Sequence, residues 1–400
     1  MQVYWIWLAL LRDISLRQKH ALLERFRDPE ALYRAAAEEV PEAVREALQN
    51  KDLSPAKKIL SRCREQGIRV IALTDSAYPT RLRYIPDPPL VLYCLGKLPG
   101  WEDMPVIGVV GTRKASPYGC TTAYSMGGQL SACGALVVSG LALGIDAEAM
   151  RGALAAGGMT VGVLGCGVDI VYPKHNQQLF SQVLEKGCLI SEYPPGTQPA
   201  PWLFPERNRI ISGMSNGVLI VEAPEKSGAL ITAQDAMEQG RDVFVVPGNI
   251  DAPTSAGSNA LLRDGAMPAF SGWDVVQQYQ GIYPQAVQKR VFDGQKQQVP
   301  PAVSEVVQTA SREKQNVKQA ENNKISIDKG EKSHYSVLND ALSEMTSEEQ
   351  AIYACLTDAP QPTDEIVDKA GQPAQKVLTV LTRMALKGIV RQHPGKRFSK

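Results

Sequence analysis

The sequence predicts an α/β protein whose core is a parallel sheet, preceded by a small helical module and followed by a winged helix. Three observations carry this: short β-branched runs that are apolar throughout, helical segments between them, and a change of composition on either side. The runs are Val106–Val110, Ala135–Val138, Thr160–Leu164, Cys188–Ile190, Val218–Val221 and Val243–Val246. A strand without polar alternation is buried on both faces, and crossover helices between parallel strands supply both covers.

Taken in order, Trp5–Arg45 sets Leu8, Leu11, Leu22, Leu23, Phe26 and Leu32 at helical spacing, broken at Asp28-Pro29 and at Pro41. This is the helical module, assigned to residues 1–65. Its apolar stretch Val3–Leu11 has no basic lead or cleavage site and is far shorter than a membrane span, so it reads as a core helix. From Val70 to Gly96 a strand leads into a strap, because Asp87, Pro88 and Pro89 oppose a helix. The sheet domain spans 66–285. A linker rich in Gln, Lys, Ser, Asn and Glu is expected over 286–342. Residues 343–400 then read as three helices and a short hairpin, with Thr346 or Ser347 as N-cap and Pro373 in a first turn. That pattern predicts a winged helix-turn-helix.

Composition removes several classes of function. The 400 residues are 44% hydrophobic and carry a formal charge of +1, so any basic surface is local. Seven cysteines without a C-x-x-C pair predict reduced thiols in a cytoplasmic protein and no metal site. No P-loop pattern occurs. Gly165 and Gly167 suggest a dinucleotide turn, with Glu192 closing the next strand, but Ile170 stands where a third glycine is needed. His175 is the only histidine of the sheet domain and has no Ser or Cys elbow beside it, which argues against a hydrolase triad.

Ligands of open parallel sheets collect beyond the carboxyl ends of the strands. The loops there hold Gly111, Thr112 and Arg113; Ser139, Gly140 and Asp146; Lys174 and Asn176; and Glu222, Ser227, Gly228 and Thr232. Ahead of the fifth run, "FPERNRIISGMS" supplies Arg207, Asn208 and Arg209. Each loop alone is weak, since glycine serves tight turns regardless of ligand, and Arg207 and Arg209 are equally able to cap Glu206 or Glu222. Convergence decides for a polyanion: one sheet edge gathers Arg113, Lys174, Arg207 and Arg209 from three loops.

In this order, "YIPDPPLVLYCLG", "GTRKASPYG", "SGLALGID", "GVDIVYPKHN", "ISEYPPG", "FPERNRIISGMS", "VEAPEKSGALITA" and "VFVVPGNIDAPTSAGSNALLRDGA" resemble the DNA-processing protein A family, also called DprA or Smf. The resemblance spans about residues 70–270. It implies an extended Rossmann-like fold, a homodimer, and a non-enzymatic protein that binds and protects single-stranded DNA and loads RecA recombinase onto it during natural transformation. Arg113, Lys174, Arg207 and Arg209 match the family's backbone-binding cations, and neither cofactor nor membrane is implied. Tyr118, Tyr172, Trp202 and Phe204 are candidates for base stacking. Met150 replaces the histidine usual after the G-I-D motif, and "RDISLRQKHALLERF" lacks the Gly-containing turn of the family's N-terminal helical hairpin. The stretch Lys369–Lys400 has eight Lys or Arg and no acid, so the winged helix is expected to meet duplex DNA or a protein partner. The alternative is a nucleotide-processing enzyme related to phosphoribohydrolases, whose Pro-Gly-Gly-x-Gly-Thr-x-x-Glu turn "EKSGALITAQDA" does not reproduce.

Overall fold

The computed structural model describes residues 1–292, 347–357, 359, 361–374, 376, 377, 380, 381, 384, 390–393 and 397–399. They belong to two compact units, Met1–Gln298 and Val299–Lys400. The first opens with helices α1 (Gln2–Leu10), α2 (Leu16–Phe26), α3 (Pro29–Arg34), α4 (Glu42–Leu48) and α5 (Ser54–Glu65). Local chemistry sets their starts. Ser15 and Gln18 form a reciprocal capping box at α2, and Asp28 caps α3 with Pro29 in its first turn. Trp5, Leu8, Leu22 and Leu32 share one core with Tyr93, Met150, Leu179 and Val183, so these helices are packed onto the sheet layer.

The sheet and its covers follow: β1 (Arg69–Ala72), α6 (Thr80–Arg83), β2 (Val91–Gly96), β3 (Val106–Val110), α7 (Pro117–Ala132), β4 (Leu136–Ser139), α8 (Ile145–Ala155), β5 (Thr160–Val163), α9 (Gln177–Lys186), β6 (Cys188–Ser191), α10 (Leu203–Met214), β7 (Gly217–Ile220), α11 (Gly228–Glu238), β8 (Asp242–Val245), α12 (Ala256–Arg263), β9 (Met267–Pro268) and α13 (Gly272–Val276). The strand order is β1-β2-β6-β5-β4-β3-β7-β8-β9. From β6 to β9 every pairing is parallel, while β2 runs antiparallel to both β1 and β6. Alternate residues of each strand enter opposite cores. Val106, Val138, Val161 and Val218 pack with Ile210 and Ala233, whereas Ile107, Val137, Leu219 and Phe244 pack with Met126, Ala149 and Val275.

Two expectations need correction. The strap before β2 contains a helical turn, α6, fitted between Pro79 and Pro86 where the six intervening residues are free of proline. Packing also continues past the expected start of the linker: Val287 is buried and Phe292 lies 6.0 Å from the Tyr124 ring. Most of the linker, and Thr346, fall outside the described residues.

In the second unit, helices Ser347–Ala354 and Thr363–Ala370 accompany a sheet of order β10-β12-β11, formed by Gln361–Pro362, Arg391–His393 as β11 and Arg397–Ser399 as β12. Ile352, Ile366, Val377, Leu381, Val390 and Phe398 are its core. Among the described residues no helix is long and apolar enough to cross a membrane.

Candidate functional site

The strand order reverses between β3 and β7, because the chain first builds outward to β4, β5 and β6 and then returns to the other side of β3. Loops leaving β3 and β7 therefore diverge and leave a crevice beyond the carboxyl ends. Glu222, two residues past β7 and 1% exposed, ties the two loops together. Its carbonyl accepts the Thr112 N–H at 2.7 Å, and its carboxylate accepts the Ser116 N–H at 2.8 Å and the Ser116 hydroxyl at 2.7 Å. A Cβ on Gly119 would sit 2.3 Å from that carboxylate, so only glycine fits there. The Ser116 hydroxyl also caps α7. Pinned at both ends, the turn presents Arg113 and Lys114 to solvent.

Behind the turn lies a buried frame. Arg207 is placed by helix α10, not by a loop as the sequence suggested, and is 3% exposed. Its guanidinium Nη1 donates to Gly140 O at 2.9 Å and to Val163 O, while Gly140 N–H donates to Asp146 at 3.0 Å. One residue, through the two peptides that flank it, thus links a base and an acid. A Cβ on Gly140 would lie 2.4 Å from the Arg207 guanidinium, which explains a glycine at the end of β4. Burial pulls Arg207 down to about 10 against the pull of Asp146, which leaves it cationic at neutral pH. Burial raises Asp146, and Arg207 opposes that rise. Ser139 donates to Val109 O at 2.6 Å, and Asn176 donates to Leu141 O and Ala142 O at 3.0 and 3.1 Å. Ser139 ties β4 to β3 and Asn176 holds the loop after β4, and both side chains are buried.

Arg209 is also engaged, at 2.5 Å from Glu192, whose carboxyl is raised by burial despite the guanidinium beside it. The carboxylate it caps is therefore Glu192, and neither Glu206 nor Glu222. Asn208 donates to Gly228 O at 3.3 Å, Ser227 caps α11 through Ala229 N, and Thr232 is 1% exposed within that helix. These residues join α10 to α11. Thr232 is not a donor at the helix start.

The open side chains form a different set. The Arg113 guanidinium lies 5.3 Å over the Phe204 ring, and Phe204 stacks on Tyr172 at 5.5 Å and 26°. With Leu143, Pro173, Gly140 and Arg207 they surround a cavity of about 70 Å³. Lys174 is exposed in the short turn after Pro173. Trp202 is 67% exposed ahead of α10, and Tyr118 is 52% exposed with its hydroxyl donating to Pro247 O. Sequence reasoning passed over Lys114 and Lys226, both exposed and each adjacent to a residue it singled out. Adjacency to Arg113 and Ser227 was the available signal. Among the described residues Arg113, Lys114, Lys174 and Lys226 have no ion-pair partner. Gly111, half-buried beneath the turn, and exposed Gly228 complete the residues that the sequence analysis named. A free cation, Arg113, set over stacked aromatic rings suits a polyanion that also offers flat apolar faces.

The sequence profile of the family described as DNA recombination-mediator protein A matches residues 69–280, and that of the DprA winged helix domain matches residues 338–396. DNA processing protein DprA of Bacillus subtilis (strain 168) is 41% identical over 221 residues, which are 55% of this chain and 74% of that protein. Protein Smf of Synechocystis sp. is 33% identical over 364 residues, 88% of this chain and 85% of its own. The X-ray structure of DNA processing protein A from Streptococcus pneumoniae superposes with a TM-score of 0.62 at 34% identity, covering 70% of this chain and 98% of that one. With its sheet unit and its C-terminal winged helix both matched, the chain belongs to the DNA recombination-mediator protein A family.

Proposed function

We propose that this chain binds single-stranded DNA along the rim of Arg113, Lys114, Lys174 and Lys226, and, acting as a cytoplasmic homodimer, loads RecA recombinase onto it during natural transformation. The observation that carries the reading is the pairing of unpartnered cations with the Tyr172–Phe204 stack. Cations take phosphates without regard to sequence, and aromatic rings take the base faces that only a single strand exposes. Family membership supports the recombination role. The cavity at the rim gives a mononucleotide-processing enzyme no support, because ligand pockets usually enclose about 300–1,000 Å³ and this one encloses about 70 Å³. The C-terminal unit supplies a separate surface for duplex DNA or a protein partner.

Fluorescence anisotropy of labelled oligo-dT and a matched duplex at several salt concentrations tests this. The single strand is expected to bind more tightly, and Arg113→Ala to flatten the logarithmic salt slope by about 0.7, one phosphate contact. Failure to bind either DNA at low salt would overturn the reading.

A further inference from the structure

The rim does not end at Lys174. Asp169, in the loop that carries Tyr172 and Lys174, pairs with Arg62 of α5 at 2.7 Å and accepts Gly196 N–H at 2.8 Å. The α5 helix is thus fastened to the edge of the site. Its charge is largely one-sided: residues 54–69 contain Lys57, Lys58, Arg62, Arg64 and Arg69, all exposed, against the single acid Glu65, with Asp52 just ahead of the helix facing Lys57 and Lys58. The neighbouring α3 and α4 segment, residues 29–48, has the opposite bias, with five glutamates and two arginines. A solvated surface helix ordinarily mixes signs, so a module polarised in this way, with its basic helix joined to a cationic rim, has the field of a polyanion track.

The cations wrap around the exposed side of α5: Lys58 stands one turn before Arg62, and Lys57 and Arg64, two turns apart, share a second stripe about 100° further round the helix. Among the described residues none of Lys57, Lys58 and Arg64 has an ion-pair partner. We propose that a single strand leaving the rim past Lys174 continues over the outer face of α5, where Lys57, Lys58 and Arg64 neutralise its phosphates. This rests on the single-strand reading of the rim. It also gives the N-terminal module a route to nucleic acid that needs no glycine turn.

The test is the variant with Lys57→Ala, Lys58→Ala and Arg64→Ala in the full chain, titrated with oligo-dT of about 6 and about 30 nucleotides. The short strand is expected to bind as in the wild type, and the long strand to lose about 2 from its logarithmic salt slope, three contacts at about 0.7 each. An unchanged slope for the long strand, with Arg113→Ala still flattening it, overturns the α5 path and leaves the rim intact. An equal loss for both lengths also overturns it, since α5 would then act within the rim. If Arg113→Ala changes neither strand's binding, the rim reading fails and takes this inference with it.

Discussion

Replacing Glu222 by alanine tests whether the cationic turn is held from below. The residue touches no proposed ligand, yet it fixes Thr112 through its carbonyl and Ser116 through its carboxylate, one residue before Arg113 and three after it. The substitution keeps the carbonyl bond and removes the two carboxylate bonds. Each charge-assisted bond is worth about 1.5–3 kcal/mol. Relief from burying a carboxylate, and water entering beside Ser116, bring the expected loss to the lower end, about 3 kcal/mol. Urea unfolding of the full chain and amide hydrogen exchange at Ser116 read the effect, with Ser116 and Gly119 losing protection first. Binding supplies the sharper readout. Once the turn is loose, Arg113 no longer holds a defined phosphate, so Glu222→Ala should flatten the salt slope about as much as Arg113→Ala, and the double variant should lose little more. A stability loss below about 1 kcal/mol, or full additivity of the two substitutions, would refute this account.

Other outcomes follow from the same frame. Phe204→Ala should weaken single-strand binding by about 1–3 kcal/mol for oligo-dT and oligo-dA alike, with the salt slope unchanged; a flattened slope instead would make the ring a support for Arg113. Arg207→Met should cost about 3–5 kcal/mol in urea unfolding, because Asp146 loses its counter-charge and two carbonyls lose a donor, and adding Asp146→Asn should recover part of it. Buried Lys19, whose ammonium donates to Ala9 O at 3.0 Å, is drawn down to about 8 by desolvation. Between that value and the ordinary lysine value the unfolded chain binds the proton and the folded chain does not, so stability rises with pH across this window. Lys19→Met should abolish that rise, and parallel pH dependences for the two proteins in urea unfolding would show Lys19 to be solvated.

The strands were legible and the arginines only half so. Two-sided burial leaves a strand with no polar alternation to obscure, and each of the six apolar runs falls within one residue of a strand from β3 to β8. "FPERNR" reads as a loop ahead of the fifth run, yet it is helical: Pro205 stands in the first turn of α10, where proline is tolerated. Once the segment is helical its pattern is plain: Arg207, Ile210, Ile211 and Met214 recur at the spacing of one face, and all four are buried. Arg207 therefore belongs to the core stripe, and the residue type alone conceals that, since a core arginine and a surface arginine are the same letter. Two positions apart on a helix are about 200° apart in direction. Arg207 and Arg209 consequently cannot both face one strand; the first turns to Gly140 and the second to Glu192. The proposed grip on phosphate falls to Arg113, Lys114, Lys174 and Lys226, and the two helical arginines brace the framework behind them, Arg207 against Gly140 and Val163 and Arg209 against Glu192.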